Sequence, residues 1–297
     1  MGKKREYNPS DKARKIVEKI KEMTAVASVS VTRKEGGAIP ALTDSKFGGV
    51  PYWDMEKEYP TDQNGRKMIL LAQIHFPDLR EAGLDLQEFG PLLPAEGMLQ
   101  FFITPEDDCF GMDFEEPASQ KDFRVVYHGT VRGDVTREQV LGLGIVTAGE
   151  CEEYTPVLRE AALSFGVETT YMNPNVAGFS AVFVQAVKAV TGEEIKEETW
   201  YGYFGEEDES YLYDELPAFG HRMFGYPSFT QTDPRENMTE EEAVYYDTLL
   251  LQIDSDMGED GDDYVLWGDC GVANLLMNGE ALQKKDFGRV LYNWDCC

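Results

Sequence analysis

Two glutamines stand inside otherwise apolar segments, where a carboxamide can either hold the backbone or bind a ligand. Gln73 belongs to the segment LLAQIHF and Gln252 to the segment LLLQIDS. A buried carboxamide needs hydrogen-bond partners, so we expect each glutamine to bind the backbone of a neighbouring turn. In the alternative, both glutamines line a groove together with Trp53, Trp267 and Asp269.

The three histidines show no pattern that is typical of catalysis or of metal binding. His75, His128 and His221 are far apart, and none has the spacing of an H-E-x-x-H zinc motif. The sequence also contains no G-x-S-x-G, P-loop or G-x-G-x-x-G motif. We therefore predict no catalytic residue, no metal ligand and no cofactor, and we expect each histidine to be structural.

An acidic run at residues 254–263, DSDMGEDGDD, contains six carboxylates and no basic residue. Calcium prefers oxygen ligands, but an EF-hand loop needs them at fixed positions. Counted from Asp256, Gly258 takes the third position and Trp267 the twelfth, so the EF-hand spacing fails. We predict a solvated hairpin tip without a metal ion. Four of its aspartates are the expected acidic face for a protein partner: Asp254, Asp256, Asp260 and Asp262.

The chain of 297 residues is strongly acidic, with 27 Lys and Arg against 55 Asp and Glu and a net charge of −28. Residues 1–22 are basic, so the other 275 residues carry a net charge of −32. Such a field repels phosphate backbones and argues against nucleic-acid binding. It favours a basic protein partner, although a well-solvated surface explains the same charge more simply.

Neither a membrane segment nor a secretory signal is expected. No apolar run is long enough to span a bilayer, and the N-terminal residues lack the apolar core of a signal peptide. The five cysteines form no C-x-x-C pair, which indicates reduced thiols. We predict a cytoplasmic protein that does not bind membranes.

Several elements can be placed along the chain from hydrophobic periodicity. Ser10 caps a predicted amphipathic helix with Ile16, Ile20 and Met23 on its apolar face. KMILLAQIHF predicts a strand that is buried on both faces. Residues 179–190 have helical periodicity, and the acidic, aromatic residues 191–220 are expected to be a solvated segment.

Similar blocks recur in the two halves of the chain, each with an aromatic-glycine-proline turn followed by Leu-Leu-x-Gln-Ile. The offset between the copies is 176 residues at Gly49, 179 at Gln73 and 174 at Gly97. Three similar offsets favour a duplication. We predict one α+β domain with two related β-rich halves in a pseudo-two-fold arrangement and a few packed helices. The domain covers residues 1–297, and the halves are roughly 24–177 and 178–297.

The blocks SKFGGVPYW, ILLAQIHFPDL, LPAEGMLQFFI, LLLQIDSD and LWGDCGVANLLM resemble the signature blocks of the YwqG-like family. They occur in family order from about Ser45 to the C-terminus. GVANLLM departs from the more aromatic strand that the family pattern suggests. The resemblance implies an α+β architecture and brings no established activity, so it supplies no catalytic residues.

These observations favour a non-catalytic binding protein that presents an acidic surface to a protein partner, in an immunity-type or regulatory role. The alternative is an enzyme or small-molecule binder with a pocket between the two halves. A convergent cluster of His, Asp or Lys side chains in an enclosed pocket would favour the alternative.

Overall fold

Ten antiparallel strands form one large sheet in this computed structural model, which describes residues 8–36, 38–84, 89, 94–151 and 155–296. A two-stranded hairpin, β9–β10, and seven α-helices complete the α+β architecture of the described residues. The strands are β1 Val26–Arg33, β2 Lys46–Phe47, β3 Ile69–His75, β4 Met98–Ile103, β5 Phe123–His128, β6 Ala161–Thr170, β7 His221–Met223, β8 Thr248–Asp254, β9 Asp256–Met257, β10 Asp263–Val265, β11 Val272–Met277 and β12 Val290–Asp295. The helices are α1 Asp11–Thr24, α2 Phe76–Glu81, α3 Arg137–Leu141, α4 Phe179–Thr191, α5 Glu206–Glu215, α6 Glu240–Tyr245 and α7 Gly279–Gln283.

The central pair of the sheet is β1 and β6, with four strands on each side. The strand order is β12-β11-β8-β7-β1-β6-β2-β3-β4-β5. We call β7, β8, β11 and β12 the second arm, and β2, β3, β4 and β5 the first arm. Strand β1 pairs with β7 of the second arm rather than with β2, which follows it in the chain.

The two outer strands of the sheet approach each other, so the sheet is nearly closed. The rings of Phe123 on β5 and Tyr292 on β12 are 5.0 Å apart. Gln120 bridges the gap between the arms, because its Nε2 donates to the carbonyl of Phe287 at 2.6 Å and its Oε1 accepts from the amide of Val125 at 2.9 Å.

Strands β3, β4, β8 and β11 are buried on both faces, as the apolar run in KMILLAQIHF predicts for β3. Their inner face belongs to the main apolar core, which includes Leu71 and Leu251. Their outer face is covered by two smaller clusters, one around Trp53 in the first arm and one around Phe229 in the second. Alternation between polar and apolar residues is therefore absent, since both faces exclude water.

Helices α1, α4 and α5 form a separate layer with its own apolar cluster. Helix α1 begins after Ser10, whose Oγ accepts a hydrogen bond from the amide of Ala13, as the cap pattern predicts. Ile20 is buried as expected, but Met23 is 38% exposed. Thr24 takes the buried position in the last turn because it lies four residues after Ile20, on the apolar face of the helix.

The segment 191–220 is more ordered than the sequence suggests, because it contains helix α5. The first turn of α5 consists of Glu206, Glu207, Asp208 and Glu209, and negative charge at this end favours a helix. Its apolar contact with the α1–α4 layer is made by Leu212. The sequence analysis predicted a solvated segment here but not helix α5, and the partly buried Tyr203 and Tyr211 also pack against the helical cluster.

Candidate functional site

Gln73 binds the backbone through its whole carboxamide. Its Oε1 accepts from the amide of Tyr52 at 2.9 Å, and its Nε2 donates to the carbonyls of Leu42 and Asp44 at 3.0 and 2.8 Å. The side chain has no exposed surface. Gln73 thus anchors the turn that follows β2 and the segment that precedes it.

Gln252 makes the same set of bonds in the second arm. Its Oε1 accepts from the amide of Ser228 at 2.6 Å, and its Nε2 donates to the carbonyls of Ala218 and Gly220 at 2.8 and 2.7 Å. Each of these three partners lies 176 residues after the corresponding partner of Gln73. Both glutamines therefore hold turns, and their buried amide groups are already bonded to protein.

The three other residues of the expected groove occupy different environments. Trp53 is buried in the outer cluster of the first arm, and its Nε1 donates to the carbonyl of Lys57 at 3.1 Å. Trp267 is buried in the main core, 5.6 Å from the ring of Phe110. Asp269 is exposed. The structure does not bring the two indoles together, since they belong to separate apolar clusters.

Two carboxylates at the tip of the β9–β10 hairpin pair with one arginine. Arg159 donates to Asp260 at 2.9 Å and to Asp262 at 2.5 Å. The Arg159 guanidinium also lies 4.9 Å from the ring centre of Tyr264. The charge of this hairpin tip is thus partly neutralised within the molecule.

The other two aspartates of the expected acidic face, Asp254 and Asp256, lie at the base of the hairpin. Asp254 accepts from the amide of Gly220 at 2.6 Å, and Asp256 accepts from the guanidinium of Arg33 at 2.7 Å. His221 Nε2 lies 3.6 Å from Asp256, while its Nδ1 accepts from the amide of Asp254 at 3.0 Å. Asp256, His221 and Arg33 converge, and each group already has a partner in the structure.

An ion-pair network around the buried Lys46, which the sequence analysis missed, joins β2 to the residue before β6 and to the start of α3. Lys46 has no exposed surface, and its Nζ donates to the carbonyl of Val50 at 2.6 Å and to Glu160 at 3.0 Å. Arg137 donates to both oxygens of Glu160, at 2.7 and 3.1 Å. Burial lowers the pKa of Lys46, although Glu160 beside it acts in the opposite direction.

The glycine of the FGG-P turn makes room for this network. Gly49 has a φ of +71°, and a Cβ at this position would lie 2.1 Å from the Cδ of Glu160. Only glycine combines this backbone conformation with such a close approach. The signal available in the sequence was therefore the turn motif, whereas Lys46 and Glu160 are 114 residues apart.

His128 is a buried histidine at the end of β5. Its Nε2 lies 2.9 Å from Gln100 Oε1, while the Nε2 of Gln100 donates to the carbonyl of Tyr52. The amide orientation of Gln100 therefore makes His128 Nε2 the donor, so Nδ1 is unprotonated when the ring is neutral. Burial, and to a lesser extent the charge of Lys57, lowers the pKa of His128 to about 4.

We expect His128 to make the folded protein less stable below pH 6.5. Its pKa is 6.5 when unfolded and about 4 when folded, so the unfolded state takes up a proton first as the pH falls. Between pH 7 and pH 4.5 this should remove about 2–3 kcal/mol of unfolding free energy. The measurement is urea unfolding at both pH values, compared with His128→Gln. If His128→Gln loses as much unfolding free energy as the parent between pH 7 and pH 4.5, the pH dependence does not come from His128.

Within the part of the chain that the structure describes, one group of residues has the atoms to hold a metal ion. The ligand atoms of Asp107, Asp108 and Cys109 lie within 4.8 Å of one another. The pKa of the Cys109 thiol is raised, mainly by burial and then by the neighbouring carboxylates. The three residues are consecutive in the chain and Asp108 is exposed, and exposed acidic groups of this kind are common without a bound ion.

A dense stretch of negative charge lies on the helical layer. Residues 193–215 contain ten acidic residues and one lysine. Some of these carboxylates have partners, such as Glu215 with Lys21 at 2.5 Å and Glu194 with Lys188 at 2.7 Å. Others are exposed and have no partner among the described residues: Glu198, Glu206 and Asp214.

Two cavities lie beside the segment 231–234, and Gln231 and Thr232 line both of them. The smaller has a volume of about 290 Å³ and is lined by Trp200, Tyr201 and Glu236 among others. The larger has a volume of about 550 Å³ and is lined by Phe114, Glu115 and Trp294 among others. Among the described residues that line them, none is Lys or Arg.

These features define an α+β protein with a nearly closed antiparallel sheet, a helical layer and acidic surface cavities. Residues 45–296 match the model of DUF1963, a domain of unknown function, and the chain belongs to this family. No curated protein matches the chain. The narrower YwqG-like resemblance stays a prediction. In the described part of the chain, no helix has the length and apolar character needed to cross a membrane.

Proposed function

We propose that this protein is a non-catalytic binding protein that uses an acidic surface to bind a basic protein partner. The observation that supports this most is the charge of residues 193–215, with ten acidic residues and one lysine on the helical layer. A surface of this kind attracts a basic partner and steers its approach. We place the protein in the cytoplasm, in a regulatory or immunity-type role, and do not expect it to bind nucleic acid or membranes.

The aspartates of residues 254–263 are expected to contribute less to partner binding than the sequence analysis predicts. Asp256 already pairs with Arg33, and Asp260 and Asp262 pair with Arg159. A partner would have to compete with these arginines. The helical layer offers carboxylates that need no such exchange, among them Glu198 and Glu206.

We expect neutralisation of the helical layer to weaken partner binding about tenfold at low salt, because exposed charges act over roughly a Debye length of 10 Å. The variant is Glu198→Gln, Glu206→Gln and Asp214→Asn. The measurement is recovery of bound protein from a cell lysate at 50 mM and at 500 mM salt, followed by affinity measurement with the recovered partner.

A matched control changes the net charge equally at another place. The control variant is Glu58→Gln, Glu240→Gln and Glu241→Gln, three exposed residues outside the helical layer. If both variants weaken binding equally, the effect comes from net charge and the surface assignment fails. Recovery of nucleic acid instead of a basic protein would contradict the proposal as a whole.

We also infer that the two arms of the sheet are copies of one ancestral unit. The bonds of Gln73 and Gln252 match, and the next strand repeats the pattern: Gln100 donates to the carbonyl of Tyr52 and Asn274 to that of Ser228, both at 2.6 Å. The strand order is also compatible with a two-fold axis between β1 and β6. In a crystal structure, rotation of one arm onto the other should superpose Gln73 on Gln252, and unrelated positions would contradict the duplication.

A further inference from the structure

The two cavities beside residues 231–234 are candidates for the point where a partner is recognised. Gln231 and Thr232 line both cavities, so this segment forms a ridge between them. We call the two cavities and this ridge the double groove. Its two sides come from distant parts of the chain: residues 174–201 on one side, and residues 112–117 with β12 on the other.

Aromatic side chains stand at both ends of the double groove. Tyr201, in the smaller cavity, is 67% exposed and its ring lies 4.5 Å from that of Trp200. Phe114, in the larger cavity, is 72% exposed, and the partly buried Trp294 lines the same cavity. Exposed aromatic faces attract cations, most often the planar guanidinium of arginine.

Each cavity also contains one carboxylate that has no partner among the described residues. Three of the lining carboxylates are already used: Asp113 pairs with Lys121, Asp233 with Arg235, and Asp295 accepts from the amides of residues 230 and 231. Glu115 in the larger cavity and Glu236 in the smaller have no such bond. Each cavity thus combines exposed aromatic surface with an unpaired negative charge.

We propose that the double groove binds an extended basic segment of a protein partner, with one basic side chain in each cavity. The chain of the partner crosses the ridge at residues 231–234. One guanidinium or ammonium group packs on Phe114 and pairs with Glu115, and the other packs on Trp200 and Tyr201 and pairs with Glu236. This inference rests on the proposed function and states which part of the acidic surface makes the specific contact.

The test uses a defined probe rather than an unknown partner. The probe is an eight-residue peptide of alternating arginine and glycine, acetylated, amidated and fluorescently labelled, and binding is followed by anisotropy with the full chain. The comparison peptide contains citrulline in place of arginine, which keeps the shape and removes the charge. We expect the arginine peptide to bind at least tenfold more tightly than the citrulline peptide.

Single substitutions then locate the site. Phe114→Ala, Glu115→Gln and Glu236→Gln should each weaken binding of the arginine peptide about tenfold. Two control variants should leave it unchanged: Phe219→Ala, a phenylalanine that is 78% exposed and lines neither cavity, and Glu58→Gln, an exposed carboxylate in the first arm. All five side chains are exposed, so we expect the five variants to keep the fold of the parent.

Equal binding of the two peptides would overturn the proposal, and so would equal losses in the groove and control variants. The result also separates this inference from the proposed function. Neutralising Glu198, Glu206 and Asp214 could weaken binding of the recovered partner while the groove variants leave it unchanged. That result would contradict binding at the double groove and support the acidic surface of the proposed function. If the groove variants weaken binding of the arginine peptide but no basic partner is recovered from the lysate, the groove binds cationic peptides. The proposed function is then contradicted.

Discussion

Replacement of Gln252 by methionine is expected to lower the unfolding free energy by about 3–5 kcal/mol, among the largest effects of any single change in the sheet. Methionine has nearly the same volume but cannot bond, so the amide of Ser228 and the carbonyls of Ala218 and Gly220 lose their partner. Each unpaired buried group costs about 1–3 kcal/mol. The measurement is urea unfolding followed by both fluorescence and circular dichroism.

Gln73→Met should cause a loss of similar size, since Gln73 bonds to three backbone groups in the same way. Gln283→Met serves as the control because Gln283 is exposed at the end of α7, and its effect should stay within about 0.5 kcal/mol. A loss below about 1 kcal/mol for both buried glutamines would show that the turns do not depend on them.

Removal of the carboxylate beside Lys46 is expected to be comparably destabilising. Glu160→Ala leaves the Lys46 ammonium group buried without a counter-ion, which should cost about 3–5 kcal/mol. The bond from Lys46 to the carbonyl of Val50 remains, but it does not neutralise the charge. The measurement is again the unfolding free energy at pH 7.

A double-variant comparison separates the buried charge from the lost packing. Lys46→Met combined with Glu160→Ala should be more stable than Glu160→Ala alone, since no unpaired ammonium group is left in the interior. As an exposed control, Arg159→Ala removes an ion pair at the hairpin tip and should change stability little. If the losses of the two single variants simply add in the double variant, the two charges are not coupled.

The two longest helices, α1 and α4, and the buried strand β3 could be predicted because their signals are local. The cap at Ser10, the helical period of residues 179–191 and the apolar run of β3 are all contained within a few residues. The anchoring role of Gln73 could also be predicted from the sequence, since a single amide side chain in a buried apolar strand needs backbone hydrogen-bond partners.

The parts that sequence reasoning missed depend on distant residues. From the sequence alone, Lys46 would be taken for an ordinary surface residue. Its burial is explained only by Glu160 and Arg137, which the fold brings beside it. The carboxylates of the acidic hairpin are predicted to be unpaired, because Arg159, which pairs with them, is about 100 residues away in the sequence. The double groove combines residues 112–117 with residues 174–201 and 231–236, and no periodicity in the sequence connects them.

The central position of β1 has a consequence for the order in which the chain is made. Strand β1 is complete at residue 33, but its sheet neighbours are residues 161–170 and 221–223. Ribosomes add about 5–20 residues each second, so β1 waits roughly 6–25 s for β6 to be made. The first arm, by contrast, is continuous from residue 46 to 128 and can pair as it emerges. During translation the exposed edge of β1 is therefore the part of the nascent chain most in need of protection, and chaperone contact should concentrate on residues 26–33 until β6 and β7 have been synthesised.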